Sequence, residues 1–241
     1  MNLNTPVFFL TIIIFATQLI ARENFKIAEI RGDVRVRIGM EEEWRKAQVG
    51  MLLRELDTIL SGENSSVVLV NERGLKFTLG NYAILDVADL RKIQERELFL
   101  YLMTLKVDKI PGQQEKTKIR VGNVSVVHGD LKQDTTPGDT ANKDNDWYNY
   151  EINGAAALLD HQYYPNAIIK FTKIQNKYDP QRDRGKIDFL IGQSFEALGD
   201  SGQARDSYQS AVNEYAQTKT ENDRSPSWIL QANQAIQNLN Q

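Results

Sequence analysis

The C-terminal part of this chain matches itself at one offset, and that offset limits the possible folds more than any other feature. Ala155, Leu158, Ala167, Phe171 and Ile174 stand 37 residues before Gly192, Phe195, Ala204, Tyr208 and Ala211, and each pair shares its character. Repetition at one such period marks stacked supersecondary units, each too small to bury its apolar face alone. Apolar residues recur at three- and four-residue spacing inside each unit, so each reads as a pair of helices. The pattern predicts helices over 148–160 and 165–178, then over 186–198 and 203–216. Gly199-Asp200 ends one of these, and Pro165 suits a first turn, where its missing N–H has no partner to lose. Ser225-Pro226 opens a last helix over 227–239, rich in Gln and Asn and suited to covering the end of an array.

Upstream, from Phe25 to about His128, the period is two. In Val34-Arg35-Val36-Arg37-Ile38 the aliphatic residues share one face and the arginines the other. Val67-Val68-Leu69-Val70 is an unbroken run, which predicts a strand buried on both faces. Asn71-Glu72-Arg73-Gly74 reads as a hairpin loop with its return strand over 75–79, and a further strand follows over 83–87. Residues 98–105 are apolar enough for strand or helix, and periodicity does not decide. Ile119-Arg120-Val121 and the run 124–127 read as closing strands. Many short strands with Gly-bearing turns predict an all-β region, as a sandwich, barrel or short solenoid. Between 129 and 146 the one large apolar residue is Leu131, so this segment is expected to be a disordered linker. The fold class expected is α+β in separate domains: β over 22–128, linker over 129–146 and helical repeats over 147–241.

Residues 7–15 are almost unbroken hydrocarbon, decaying through Leu19-Ile20-Ala21 into the charges of Arg22-Glu23. Roughly 14 apolar-leaning residues fall short of the ~20 that span a bilayer. The small Ala21 before polar residues suits a cleavage site. Residues 1–21 are therefore expected to be a signal peptide, and the mature chain exported and periplasmic. The alternatives are an uncleaved inner-membrane anchor over 7–20, the one membrane contact expected, or a buried strand or core helix. There is no cysteine, which removes thiol catalysis, Cys-based zinc sites, disulfides and the acylated cysteine of a lipoprotein. The net charge of −3 gives no basic footprint for nucleic acid.

Assembled reactive groups are not found in the sequence. The two histidines, His128 and His161, fall in different regions, and neither has a second His at metal-ligand spacing. Asn142, Asp144 and Asp146 have calcium-loop spacing, but Trp147 occupies the position that needs glycine, and Asn153 the position of the bidentate Glu. Ser194 lies inside a repeat helix without the second glycine of a nucleophile elbow, and no phosphate-binding glycine loop occurs. Glu41-Glu42-Glu43 reads as a solvated charge run. No catalytic residue, metal ligand or cofactor is expected, and the chain is expected not to be an enzyme. The aromatics crowding the first repeat, Trp147, Tyr148, Tyr150, Tyr163 and Tyr164, are the candidate partner-binding residues; helix-pair core is the competing role, and for Trp147, Tyr148 and Tyr150 docking to the β region or capping of the array.

The unit Ile191-Gly192-Gln193-Ser194-Phe195-Glu196-Ala197-Leu198-Gly199-Asp200, followed by Ala204, Tyr208 and Ala211, resembles the tetratricopeptide repeat. Its first copy has Ala155 for the glycine and Gln162 for the turn glycine. The β region resembles the FecR domain family through Gly32-Asp33-Val34, Trp44, the segment from Ala47 to Leu53, the segment from Asp57 to Ser66, Arg73-Gly74 and the strands around them. These resemblances imply a protein or peptide partner in the cell envelope, held in a short helical groove. They also imply two alternatives: a membrane-tethered FecR-type signal regulator, or a glycan- or peptidoglycan-binding accessory module. Signal-transducing members of that family need a cytoplasmic segment, and six residues precede the hydrophobic run here, so the regulator role is expected not to apply.

Overall fold

The computed structural model describes residues 24–108, 140–178, 183–218 and 225–240. Two four-stranded antiparallel sheets make up the N-terminal region. In the first the order is β4 (Leu52–Leu53), β1 (Phe25–Arg31), β6 (Ser66–Asn71) and β7 (Lys76–Leu79). In the second it is β3 (Arg45–Lys46), β2 (Val34–Arg37), β5 (Thr58–Ser61) and β8 (Ala83–Asp86). Alternate residues point into one core, including Phe25, Ile27, Val67, Leu69, Phe77 and Leu79 from the first sheet and Val34, Val36, Ile59 and Leu85 from the second. The run at 67–70 is not buried on both faces as expected. Val67 and Leu69 are fully buried while Val68 and Val70 are half-buried, because β6 pairs antiparallel with β1 and β7 and turns a single face to the core.

Polar side chains hold the turns between these strands. Gly32 has φ +72°, and a Cβ there would strike Ser65 Oγ, which accepts the Asp33 N–H at 2.8 Å. The buried Asp57 carboxylate accepts the N–H groups of Gly39 (2.8 Å) and Arg54 (2.7 Å), joining two loops. Asn71 Oδ1 accepts from the N–H groups of Arg73 and Leu75 and shapes the hairpin to β7. Gly32, Asp33, Asp57 and Ser65 thus act here as turn-formers.

A 3₁₀ turn over Val87–Leu90 leads to α1 (Glu95–Asp108), which settles residues 98–105 as helix. Leu, Phe and Met rather than Val and Ile fill the apolar positions over 98–105, and Glu95 and Glu97 in its first turn complement the helix dipole. The remaining helices are α2 (Thr140–Asp160), α3 (Tyr164–Lys177), α4 (Arg184–Leu198), α5 (Ser201–Thr218) and α6 (Ser227–Asn238). Helix α2 thus begins at Thr140, inside the segment expected to be linker, whose low apolar content does not stop a helix from extending outward from a packed one. Residues 1–21, the strands expected within 119–127, His128 and the linker up to residue 139 lie outside the described residues.

The 37-residue offset holds in three dimensions. All ten repeat-defining residues are buried. Between α2 and α3, the Gln162 N–H bonds to Leu159 O (3.0 Å) and the Tyr163 N–H to Leu158 O (2.8 Å). Between α4 and α5, the Gly199 N–H bonds to Glu196 O (2.9 Å) and the Asp200 N–H to Phe195 O (3.0 Å), at positions 37 residues on. These are two copies of one helix-ending motif, with Gln162 (φ +66°) and Gly199 (φ +82°) in the left-handed position. Gly192 leaves room for the Tyr208 ring, whose Cδ1 would lie 2.6 Å from any Cβ there.

Candidate functional site

The helices do not hang free of the sheets. Helix α2 lies along β8, and the buried residues of both regions form one continuous apolar cluster. At Gly154 the approach is so close that an added Cβ would sit 1.9 Å from the carbonyl oxygen of Ile84. Among the described residues, strands β7 and β8 are each an edge of their sheet, and an edge presents backbone groups without strand partners. Side chains from the helical region satisfy one of them and carbonyls that flank β8. The Thr78 N–H donates to His161 Nε2 (2.9 Å), and Asn153 Nδ2 donates to Tyr82 O (2.8 Å). Beyond β8, Asn166 Nδ2 donates to the carbonyls of Asp89 (2.7 Å) and Arg91 (2.8 Å).

The aromatic candidates fall mainly at this junction. Tyr148 is only 1% exposed and meets the Tyr178 ring edge-on at 5.2 Å, so it is core between α2 and α3 and has no surface to offer a partner. Trp147 and Tyr150 are half-buried, 6.0 Å apart, with Tyr150 edge-on to Tyr82 of the β region at 5.8 Å. Tyr163 is half-buried edge-on to Phe77 at 5.9 Å, beside the His161–Phe77 contact at 4.6 Å. Tyr164 is half-buried at the start of α3. Docking to the sheets therefore accounts for Tyr150 and Tyr163, and Trp147 packs against Tyr150.

A buried ion cluster, unmarked by any sequence motif, closes the same junction. Lys170 Nζ of α3 lies 2.7 Å from Asp89 Oδ2 and 3.0 Å from Asp86 Oδ2. Asp86 also accepts from Thr58 Oγ1 (2.9 Å), which in turn accepts from Arg37 Nη2 (3.2 Å), and the Arg37 guanidinium lies over Trp44. Burial disfavours the Lys170 ammonium, but the carboxylates of Asp89 and Asp86 outweigh it and hold its pKa above the ordinary lysine value. An amine held protonated and enclosed this way is neither a base nor a nucleophile at neutral pH. On the same helix, burial lowers the pKa of Lys173, against the pull of Asp89. Among the described residues no group of three His, Cys, Asp or Glu is placed to hold a metal ion.

Away from the junction two surfaces stand open among the described residues. A cavity of about 320 Å³ lies where α4 begins and α5 ends, lined by Arg184, Lys186, Glu214, Tyr215, Pro226 and Trp228 among others. Arg184 Nε is 3.6 Å from Glu214 Oε1, and Trp228 packs between the rings of Phe189 (6.0 Å) and Tyr215 (5.8 Å). Helix α1 exposes Phe99, Leu100 and Met103. Among the described residues no helix is long and apolar enough to cross a membrane. No protein-family model matches this chain, and neither a curated protein nor a solved structure does.

Proposed function

We propose that this chain is a non-catalytic interaction module of the bacterial cell envelope, in which a FecR-like β region carries a short tetratricopeptide-like array. The observation that carries the reading is the duplicated helix pair, with matching turns at a 37-residue offset and a further helix stacked after it. Arrays of this kind bury a core only by stacking, and their ends need covers. The sheets cover the α2–α3 end and α6 covers the other. A partner is then left the cavity beside Trp228, Tyr215 and Lys186, where aromatic walls and charges of both signs suit an extended peptide segment. Its volume of about 320 Å³ admits a few side chains rather than a folded surface.

The test has two stages. Cell fractionation with N-terminal sequencing is expected to place the mature chain in the envelope, starting near Arg22. A photo-crosslinking residue at Lys186 is then expected to capture one envelope protein, and capture is expected to drop when Trp228→Ala is added. A full-length chain in the cytosol, or capture indifferent to Trp228, overturns the reading.

A further inference from the structure

We propose that the contact between His161 and the edge of β7 is a pH-responsive clasp: protonating the imidazole frees the Thr78 amide and lets the α2–α3 turn lift from that strand. The proposal does not depend on what the chain binds. Strand β7 pairs with β6 on one side, with Thr78 opposite Val68, and its other side meets the helical hairpin. There the Thr78 N–H donates to His161 Nε2 at 2.9 Å, so Nε2 must carry a lone pair and the proton must sit on Nδ1. Imidazolium carries a proton on both nitrogens. Donor then faces donor, and the Thr78 amide loses its partner.

From β7 the ring meets Phe77 at 4.6 Å, and from the start of the next helix Tyr163 meets the same Phe77. The charged residues nearest in sequence are Lys76 on β7 and Asp160 on α2, both exposed, and among the described residues His161 joins no ion pair. Histidine is the side chain that ordinarily changes charge between about pH 5 and pH 8. Among the described residues the β8 side of the junction has no equivalent group. Asn153 and Asn166 hold it through amides that do not titrate in that range, and Lys170 stays protonated between its two carboxylates. Acidification therefore opens one corner of the junction and leaves the other closed.

Residue-resolved amide exchange on the full chain tests this. After correction for intrinsic chemistry, Thr78 exchange is expected to be roughly tenfold faster at about pH 5 than at about pH 8, with Val68 unchanged. His161→Gln, whose amide oxygen accepts at either pH, is expected to keep Thr78 protected at both. His161→Phe, which keeps the ring against Phe77 but has no acceptor, is expected to leave Thr78 fast at both. Equal protection of Thr78 at the two pH values in the unaltered chain overturns the proposal, as does a pH response that survives in His161→Gln.

Discussion

Gln162 and Gly199 occupy the same left-handed corner of the same turn, but only one of them does so without strain. A side chain in that region brings Cβ against the following carbonyl and costs about 1–2 kcal/mol, part of which a glycine returns as unfolded-chain entropy. Gln162 is exposed, so replacing it removes little packing. Gln162→Gly is expected to stabilise the chain by about 0.5–1 kcal/mol, read as a higher urea midpoint at unchanged slope. Gly154 is the opposite case. It sits inside α2, where alanine is ordinarily better by about 1 kcal/mol, yet its Cβ would lie 1.9 Å from the backbone oxygen of Ile84. Backbone on both sides cannot give way as a flexible side chain can, so the helix must withdraw from β8 and strain the Asn153–Tyr82 bond. Gly154→Ala is expected to cost about 2–3 kcal/mol and to lower the melting temperature by roughly 4–12 °C. Gly202→Ala, in the first turn of α5 with nothing nearer than Asp200 Oδ1 at 3.6 Å, is the control and is expected to be neutral or mildly stabilising.

Each helix pair also carries one buried acid at the same place, Glu151 in the first and Asp188 in the second, 37 residues apart. Glu151 receives Lys177 of α3 at 2.6 Å. Asp188 accepts from Gln175 of α3 (2.5 Å) and Ser210 of α5 (2.6 Å), so one carboxylate ties three helices. Burial pushes the Asp188 carboxyl above its ordinary value of 3.8 despite those two bonds. The folded state thus holds the proton more tightly than the unfolded chain. Its contribution to stability is largest in acid and falls as pH rises from 3.8 through the raised value. Asp188→Asn keeps a partner for both Gln175 and Ser210 without the buried charge. It is expected to raise the thermal midpoint at neutral pH, with the gain shrinking toward acid, and a gain constant with pH counts against this account. The helices themselves were legible in the sequence because turn chemistry and the 3.6-residue period are local, and they predicted α3 to α6 to within about two residues. The acids were not legible, since nothing in a lone Glu or Asp on a helix announces a partner from another helix. The same holds for Lys170, whose two carboxylates stand more than 80 positions away. The aromatics pointed to the right place: two of those crowding the first repeat, Tyr150 and Tyr163, meet Tyr82 and Phe77 of the sheets, in line with the docking role.

At the scale of the molecule, the question is whether sheets and helices are two bodies joined by a tether or one cooperative unit. Composition between 129 and 146 suggested a tether, but the buried residues run without a break from the sheets into α2 and α3. Each side also completes the other. The sheets supply the cover that the first helix pair needs, and the helices supply hydrogen-bond partners to edges that would otherwise invite pairing with another chain. Lys170 is a buried ionic tie between them, and removing one member of a buried ion cluster leaves the remaining charges uncompensated, at a cost of about 3–5 kcal/mol. That is a large share of the roughly 5–15 kcal/mol that holds a domain folded. The three tryptophans allow a direct reading, because Trp44 lies in the β region and Trp228 in α6. Variants that keep only one of these two as the fluorophore are expected to give the same urea midpoint within error, as a two-state unit must. Lys170→Met is expected to move both midpoints down together. Were the regions independent, Trp44 and Trp228 would report separate transitions, and the loss of a charge on α3 would leave the Trp44 transition near its original midpoint. Separate midpoints in the unaltered chain would therefore show that the shared core contributes little, and would return the segment before α2 to the role of a tether.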